Sequence, residues 1–328
     1  MATLFQWSPA TERRPLPFTV EQQRRLAHWN HDRLSPQFPT SEWREDLERE
    51  YGMRRTEIAF LEALRAEIAD EAAKVPTDVE GFIAWFEGLQ ENGPGQGDPL
   101  FPWIAEQASL EEIKWFLEQE AAGEAGFDDL VAYTQVKIPE QAKLELARNY
   151  WDEMGRGNPK GMHGPMLHYL VGALGLTPTI ERTAAESLAL ANAMTAMATN
   201  RRYAWHSIGA LGAIELTAPY RSAATAAGLR RLDQPPKVRR YFDLHATLDI
   251  KHSEEWNREA LRPLVAEDPA RATAMAEGAL IRLTAGARCF ARYRADLWGG
   301  AGTKPEPKMQ QQPAAAARRT LSIVVAEA

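Results

Sequence analysis

The sequence predicts an all-α protein. Apolar residues recur at spacings of three and four in almost every segment, which is the period of a helix with one buried face. Strand-like alternation is nearly absent before the last few residues, TLSIVVAEA. Glycine and proline concentrate in short stretches such as QENGPGQGDPLFPW, which reads as a loop. Together these observations indicate a bundle of helices.

Three helices are predicted before that loop, at residues 19–34, 40–75 and 78–90. The second has a start signal, because Thr40 and Ser41 are good capping residues just ahead of the periodic run. After the loop, helical periodicity covers residues 109–136, 139–155, 161–175, 179–199, 201–229, 235–267 and 268–300. We therefore expect about seven core helices behind an N-terminal helical extension.

These segments divide the chain into three parts. Residues 1–77 form the expected N-terminal helical extension, which would cover the bundle or build a dimer interface. Residues 78–300 form the expected core domain. Residues 301–328 are biased toward proline, glutamine and alanine, so we expect a flexible C-terminal tail.

Composition excludes several classes of protein. The net charge is −7 and the isoelectric point is about 5.6, which argues against a nucleic-acid-binding protein. No run of eighteen or more apolar residues is present, so we expect no membrane association. The first residues lack the pattern of a signal peptide, and a single cysteine, Cys289, allows no intramolecular disulfide. A cytoplasmic location is the expectation that follows.

The stretch RRYFDLHATLDIKHSEEW carries two histidines and an aspartate on one predicted helix face. A helix advances about 100° per residue, so Asp249 and His252 lie within about 60° of each other, on either side of His245. Neighbouring apolar residues place this face toward the core. Burying these groups is costly unless they are satisfied, and a metal ion satisfies them directly. The alternative is a buried hydrogen-bonded pair without metal.

Glu215 is the single acidic residue in an apolar helical stretch, WHSIGALGAIELTAPY. Burying a lone carboxylate is expensive, and carboxylates in such surroundings often mark functional sites. We therefore take Glu215 as a candidate ligand. The alternative is that Glu215 lies at the mouth of the bundle and pairs with a cation such as Arg221.

Glu153 and His163 are ten residues apart in NYWDEMGRGNPKGMHGPMLHYL. On a straight helix this spacing is about 15 Å, too far for one metal cluster. The intervening glycines and proline break the helix, so the chain can return His163 toward Glu153. The alternative is a plain interhelical turn with Glu153 exposed. Asp152 and Glu153 point about 100° apart, so at most one is expected to face inward.

The stretch KWFLEQEAAGEAGFDDLV offers one more candidate ligand. Glu120 follows Phe116 by four residues and shares its apolar side, and Glu124 follows at the next turn. Either carboxylate could turn inward, and position alone does not decide between them.

Taken together, these residues resemble the haem-oxygenase-like diiron oxidases and oxygenases, often described as iron-containing redox enzymes. The resemblance covers roughly residues 78–300 and implies a haem-oxygenase-like helical bundle. It also implies a set of iron ligands, namely Glu120, Glu153, His163, Glu215, His245, Asp249 and His252. The stretch WFLEQEAAGEAGF has no histidine to bind haem, and Cys289 is far from where thiaminase relatives carry theirs. No Glu-x-x-His motif of the ferritin-like class occurs.

The resemblance further implies two Fe(II)/Fe(III) ions as cofactor, O2 as co-substrate and a small-molecule substrate. N-oxygenation of an amine or amino acid is our first expectation, with desaturation or C–C cleavage of an amino acid or fatty acid as alternatives. Arg221 or Arg148 would hold a substrate carboxylate. An electron donor and a homodimer are compatible with the family. Two other hypotheses for the function stay open, namely a non-catalytic iron-binding protein and a helical interaction module.

Overall fold

The computed structural model describes residues 17–123 and 126–299, and these residues contain thirteen α-helices and no strand. The helices are α1 (Val20–Leu34), α2 (Trp43–Ala72), α3 (Val79–Asn92), α4 (Leu100–Glu106), α5 (Leu110–Gly123), α6 (Phe127–Thr134), α7 (Glu140–Glu153), α8 (His163–Leu174), α9 (Ala185–Thr199), α10 (Ala204–Arg231), α11 (Pro236–Glu255), α12 (Arg262–Glu267) and α13 (Ala270–Trp298). The predicted all-α class is therefore confirmed for these residues. The predicted C-terminal tail lies outside them.

Short segments of other helical types connect several of these elements. The 3₁₀ turns are Gly155–Gly157, Pro159–Gly161, Ile180–Arg182 and Arg201–Tyr203. A π-helical segment, Trp256–Leu261, joins α11 to α12. None of the described helices combines the length and the apolar composition that crossing a bilayer requires.

Several predicted boundaries differ from the structure, among them those at 90–103 and 109–136. The segment predicted as a loop at 90–103 ends in α4, because Leu100 and Trp103 are buried and stabilise a helix there. Pro102 is tolerated in α4 because the first turn of a helix needs no backbone N–H donor. The segment 109–136 contains two helices instead of one. Gly126 precedes the second with a left-handed φ of 72°.

Helix α10 is the centre of the bundle and packs against α11, α13 and α4. The N-terminal helices pack onto the same body, α1 against α9 and α2 against α13 and α9. Helix α2 buries an apolar face there, with Phe60, Leu61 and Ile68 almost fully inaccessible. Burial of this face, more than helix propensity, stabilises a helix of this length against the core.

Helices α10 and α13 cross at two glycines. A β-carbon built on Gly209 would lie 1.8 Å from the carbonyl oxygen of Met275, and one built on Gly278 would lie 1.8 Å from that of His206. Only glycine permits this separation between the two backbones. The crossing therefore fixes the position of α10, the helix that carries Glu215, against its longest neighbour.

We expect Gly209→Ala to destabilise the protein by about 1–3 kcal/mol or more, because the added methyl group forces the two backbones apart. Chemical denaturation followed by circular dichroism measures the change. Gly88→Ala is the matched control, since Gly88 lies within α3 and a β-carbon there meets no atom within 4 Å. Equal free energies of unfolding for the two variants would contradict the importance of the crossing.

Candidate metal centre

Six of the seven side chains predicted as ligands converge in the interior of the bundle. Each is between 1% and 6% exposed. They come from four helices and are Glu153 of α7, His163 of α8, Glu215 of α10, and His245, Asp249 and His252 of α11. Five of them line one cavity, and His252 lies directly behind Asp249 and Glu215. Convergence was predicted for seven side chains, and the structure brings these six together.

Helix α11 presents its three candidates on one face, as their spacing requires. The end of this helix is tied to α10, because the buried indole of Trp256 donates a hydrogen bond of 3.2 Å to the carbonyl oxygen of Ile208. Trp256 also starts the π-helical segment. The face with the two imidazoles is therefore held opposite the helix that carries Glu215.

The loop between α7 and α8 returns the chain on itself. Gly155 has a left-handed φ of 61°, and a β-carbon on it would lie 2.6 Å from the carbonyl carbon of Gly161. Residues 155 and 161 are thus in direct contact, and the loop closes. As a result His163, the first residue of α8, places its Nδ1 atom 2.9 Å from Oε2 of Glu153.

Two groups of three potential ligands share one residue. In the first group, His163 Nδ1 lies 3.1 Å from His245 Nε2, which lies 3.7 Å from Glu153 Oε2. In the second, His252 Nδ1 lies 3.5 Å from Glu215 Oε2 and 3.8 Å from Glu153 Oε1. Each group could hold one metal ion. Glu153 therefore turns one carboxylate oxygen to each group.

Asp249 extends the second group. Its Oδ1 atom is 4.0 Å from His252 Nδ1, and among the described residues it has no hydrogen-bond partner although it is buried. Burial and the carboxylates of Glu215 and Glu153 raise the pKa of Asp249 well above its usual range. A buried, unpartnered carboxylate oxygen beside other carboxylates is costly, and a bound cation removes that cost.

The same concentration of carboxylates affects the pKa of His252. Burial alone would lower its pKa, but the surrounding carboxylates of Glu215, Glu153 and Asp249 raise it to about 10. The pKa of Glu153, in contrast, is lowered, because hydrogen bonds from His163 and His245 outweigh the effect of its burial. Three carboxylates and three imidazoles in this arrangement fit transition-metal ions such as iron.

The outer nitrogen of each imidazole also has a hydrogen-bond partner within the protein. His163 Nε2 lies 3.1 Å from the phenol oxygen of Tyr241, and His245 Nδ1 donates to the carbonyl oxygen of the same Tyr241 at 2.6 Å. His252 Nε2 lies 3.2 Å from Oδ2 of Asp152. Such partners fix the tautomer and direct the other nitrogen into the cluster. All three inner nitrogens thereby face the carboxylates.

The structure adds residues that the sequence patterns did not identify. Asn149 donates to Glu215 Oε1 at 2.5 Å, and Tyr241 and Arg282 line the cavity. Asn149 precedes Glu153 by four residues and Tyr241 precedes His245 by four, so helical spacing contained a signal for both. Arg282 lies on α13, which carried no candidate, and no local pattern indicates it.

Of the adjacent Asp152 and Glu153, only Glu153 belongs to a group of potential ligands. The side chain of Asp152 is 7% exposed and that of Glu153 is 3% exposed. The two carboxylates point in different directions, as their 100° separation requires, but the imidazole of His252 lies between them and contacts both. Adjacent residues at the end of a helix can therefore contact opposite sides of one imidazole ring.

The structure does not bring Glu120 into the cluster. Its Oε1 atom accepts a hydrogen bond of 3.0 Å from the phenol of Tyr293, which is buried and also 2.8 Å from Ser187 Oγ. Glu120 belongs to neither group of potential ligands, because its side chain turns to Tyr293 of α13 and α5 packs against α9. We therefore leave it out of the ligand set. The alternative, Glu124, lies outside the described residues.

Neither arginine predicted to hold a substrate lines the cavity. Arg148 is half exposed and pairs with Glu145 at 2.5 Å. Arg221 donates to Thr217 Oγ1 at 3.1 Å and lies over the ring of Phe290. Arg282 lines the cavity instead.

Comparisons with known proteins agree with this geometry. The model of a haem-oxygenase-related family, described as iron-containing redox enzymes, matches residues 114–287, more than half of the chain. A solved structure of a CADD-like protein of unknown function from Nostoc punctiforme PCC 73102 superposes with a TM-score of 0.51 at 17% identity, over 69% of this chain and 99% of that one. No curated protein matches. The predicted haem-oxygenase-like bundle is confirmed.

We expect Gly155→Ala to destabilise the loop by about 1–2 kcal/mol through the left-handed φ alone, with a further cost from the contact with Gly161. Metal affinity should fall as well, because His163 would move away from Glu153. Gly164→Ala is the matched control, since a β-carbon on Gly164 meets nothing within 4 Å. Unchanged metal binding in Gly155→Ala would show that the closed loop between α7 and α8 does not position His163.

The raised pKa of His252 predicts that metal binding releases protons. Near neutral pH this imidazole is protonated, and a metal ion at Nδ1 must displace that proton, so apparent affinity rises with pH up to about pH 10. Calorimetric titration with Co(II) in buffers of different ionisation enthalpy counts the protons, and we expect about one or more per chain. An affinity that stays constant between about pH 6 and pH 8, with no proton release, would contradict this charge assignment.

Proposed function

The chain belongs to the iron-containing redox enzymes, and we propose that its buried cluster binds two iron ions and uses O2 to oxidise a small organic substrate. One observation carries the proposal. Two groups of three potential ligands meet at Glu153, whose two carboxylate oxygens face one group each. A carboxylate in this position is suited to bridge two metal ions, and a single ion would leave one group unoccupied.

We propose that Glu153, His163 and His245 hold the first iron, and that Glu215, Asp249 and His252 hold the second with Glu153 shared. Three carboxylates offset most of the charge of two ferrous ions, and neutral imidazoles complete a donor set suited to iron. The iron pair would supply the electrons and the binding site for the reduction of O2. Asn149 orients Glu215 through its 2.5 Å hydrogen bond, so this carboxylate keeps one oxygen toward His252.

The cavity supports a substrate with an apolar body and a charged end. Its wall includes the apolar side chains of Phe127, Leu130, Leu190 and Met194, and an apolar lining of this kind is typical of small-molecule sites. Arg282 contributes a guanidinium group to the same wall. We propose that Arg282, in place of Arg221 or Arg148, attracts a substrate carboxylate.

N-oxygenation of an amine or amino acid is our first choice for the reaction, with desaturation or C–C cleavage of an amino acid or fatty acid as alternatives. Residues 78–300 would form the catalytic domain, because they contain all six proposed ligands. Residues 1–77 would act as a covering extension, since α1 and α2 pack against α9 and α13. If the reduction of O2 consumes more electrons than the substrate provides, the reaction would require an external electron donor.

Anaerobic loading with Fe(II), followed by mixing with O2, tests the proposal. We expect two equivalents of iron per chain and rapid O2 uptake, and His245→Ala should weaken one equivalent by about 100-fold or more and abolish the uptake. Candidate amines, amino acids and fatty acids are then compared by their effect on the rate of O2 consumption and by mass spectrometry of the products.

Glu120→Gln provides the matched control, because Glu120 contacts Tyr293 and lies outside both ligand groups. We expect this variant to bind two equivalents of iron as the wild type does. A wild-type chain that binds two irons without consuming O2 would support the alternative of a non-catalytic iron-binding protein. A chain that binds no iron would contradict both functions.

A further inference from the structure

Asp152 lies at the edge of the cluster and is not one of the six proposed ligands. Its side chain is 7% exposed, and its Oδ2 atom is 3.2 Å from the outer nitrogen of His252. On the other side of the same ring, Nδ1 faces Glu215 at 3.5 Å and Glu153 at 3.8 Å. The imidazole therefore lies between one carboxylate outside the cluster and two within it.

Arg156 holds Asp152 from the loop between α7 and α8. Its Nε and one terminal nitrogen contact the two carboxylate oxygens at 2.6 Å and 3.1 Å, the bidentate arrangement that fixes a carboxylate most firmly. Arg156 has a left-handed φ of 53° between two glycines. This conformation is uncommon for a residue with a β-carbon, and here it directs the side chain back to the end of α7.

The three imidazoles of the cluster differ in their outer partners. His245 donates to a backbone carbonyl oxygen, and His163 contacts the phenol of Tyr241. At His252 the partner of the outer nitrogen is the carboxylate of Asp152. A carboxylate acceptor keeps the proton on Nε2, leaves the Nδ1 lone pair for a metal ion, and makes the ring a stronger ligand.

We propose that Asp152, held by Arg156, is a positioning residue that orients and strengthens His252 as a ligand of the second metal ion. This inference rests on the proposed two-metal function and adds two residues to it. The second site then depends on a chain of contacts that runs from Arg156 in the loop through Asp152 to His252. Loss of Asp152 should therefore affect one of the two metal ions selectively.

Anaerobic titration with Co(II) tests the inference, because the d–d absorption of Co(II) reports coordination at each site. In Asp152→Asn, which has nearly the same shape, we expect one of two Co(II) equivalents to bind about 10–100-fold more weakly, with an altered spectrum for that equivalent only. Arg156→Gly should weaken the same equivalent to a smaller extent. Glycine adopts the left-handed φ readily, so this variant removes the guanidinium without straining the loop.

Asp243→Asn is the control for the loss of a paired carboxylate. Asp243 lies on α11, the helix of His252, but its carboxylate contacts Arg230 at 2.8 Å and Arg239 at 3.4 Å instead of a proposed ligand. We expect this variant to bind both Co(II) equivalents as the wild type does. Thermal unfolding of the metal-free variants is measured in parallel, and Asp152→Asn and Asp243→Asn should be similar.

Two outcomes would overturn the inference. One is wild-type binding of both equivalents in Asp152→Asn. The other is an equal weakening of both equivalents together with lower stability of the metal-free variant, which indicates a merely structural role. A wild-type chain that takes up a single Co(II) would contradict the two-metal proposal instead. Comparison of Asp152→Asn with Asp243→Asn would then decide whether Asp152 acts on the remaining site.

Discussion

The burial of three carboxylates in one small volume is the constraint on which the rest of the structure depends. Glu153, Glu215 and Asp249 are each less than 5% exposed. Burial and the neighbouring carboxylates raise the pKa of Asp249, and the carboxylates raise the pKa of His252 in spite of its burial. Interiors tolerate charge only when it is compensated. Metal ions compensate it most directly, which is why the geometry and the family membership lead to the same chemistry.

The fold supports this cluster by fixing four helices from outside it. The glycine crossing of α10 and α13 positions the helix of Glu215, and the Trp256 hydrogen bond ties the end of α11 to α10. The contact between Gly155 and Gly161 closes the loop that joins α7 to α8. These devices are backbone contacts or buried side chains, so they hold the ligands before any metal binds. A preorganised donor set lowers the cost of ordering on binding.

A second layer of residues distinguishes the two halves of the cluster. The phenol of Tyr241 contacts His163 and its carbonyl oxygen accepts a hydrogen bond from His245, whereas the carboxylate of Asp152 contacts His252. Iron bound in these two environments would differ in ligand strength.

The sequence by itself determined the helical class and most of the site. Periodicity placed His245, Asp249 and His252 on one face, because a helix fixes the direction of each residue. Glu215 was recognisable because burying a lone carboxylate in an apolar helix costs free energy. Only the tertiary structure decided the rest. It directed Glu120 to Tyr293, brought Asp152 to His252 and placed Arg282 in the cavity. These outcomes depend on how distant helices pack, and local spacing carries no information about a partner one hundred residues away.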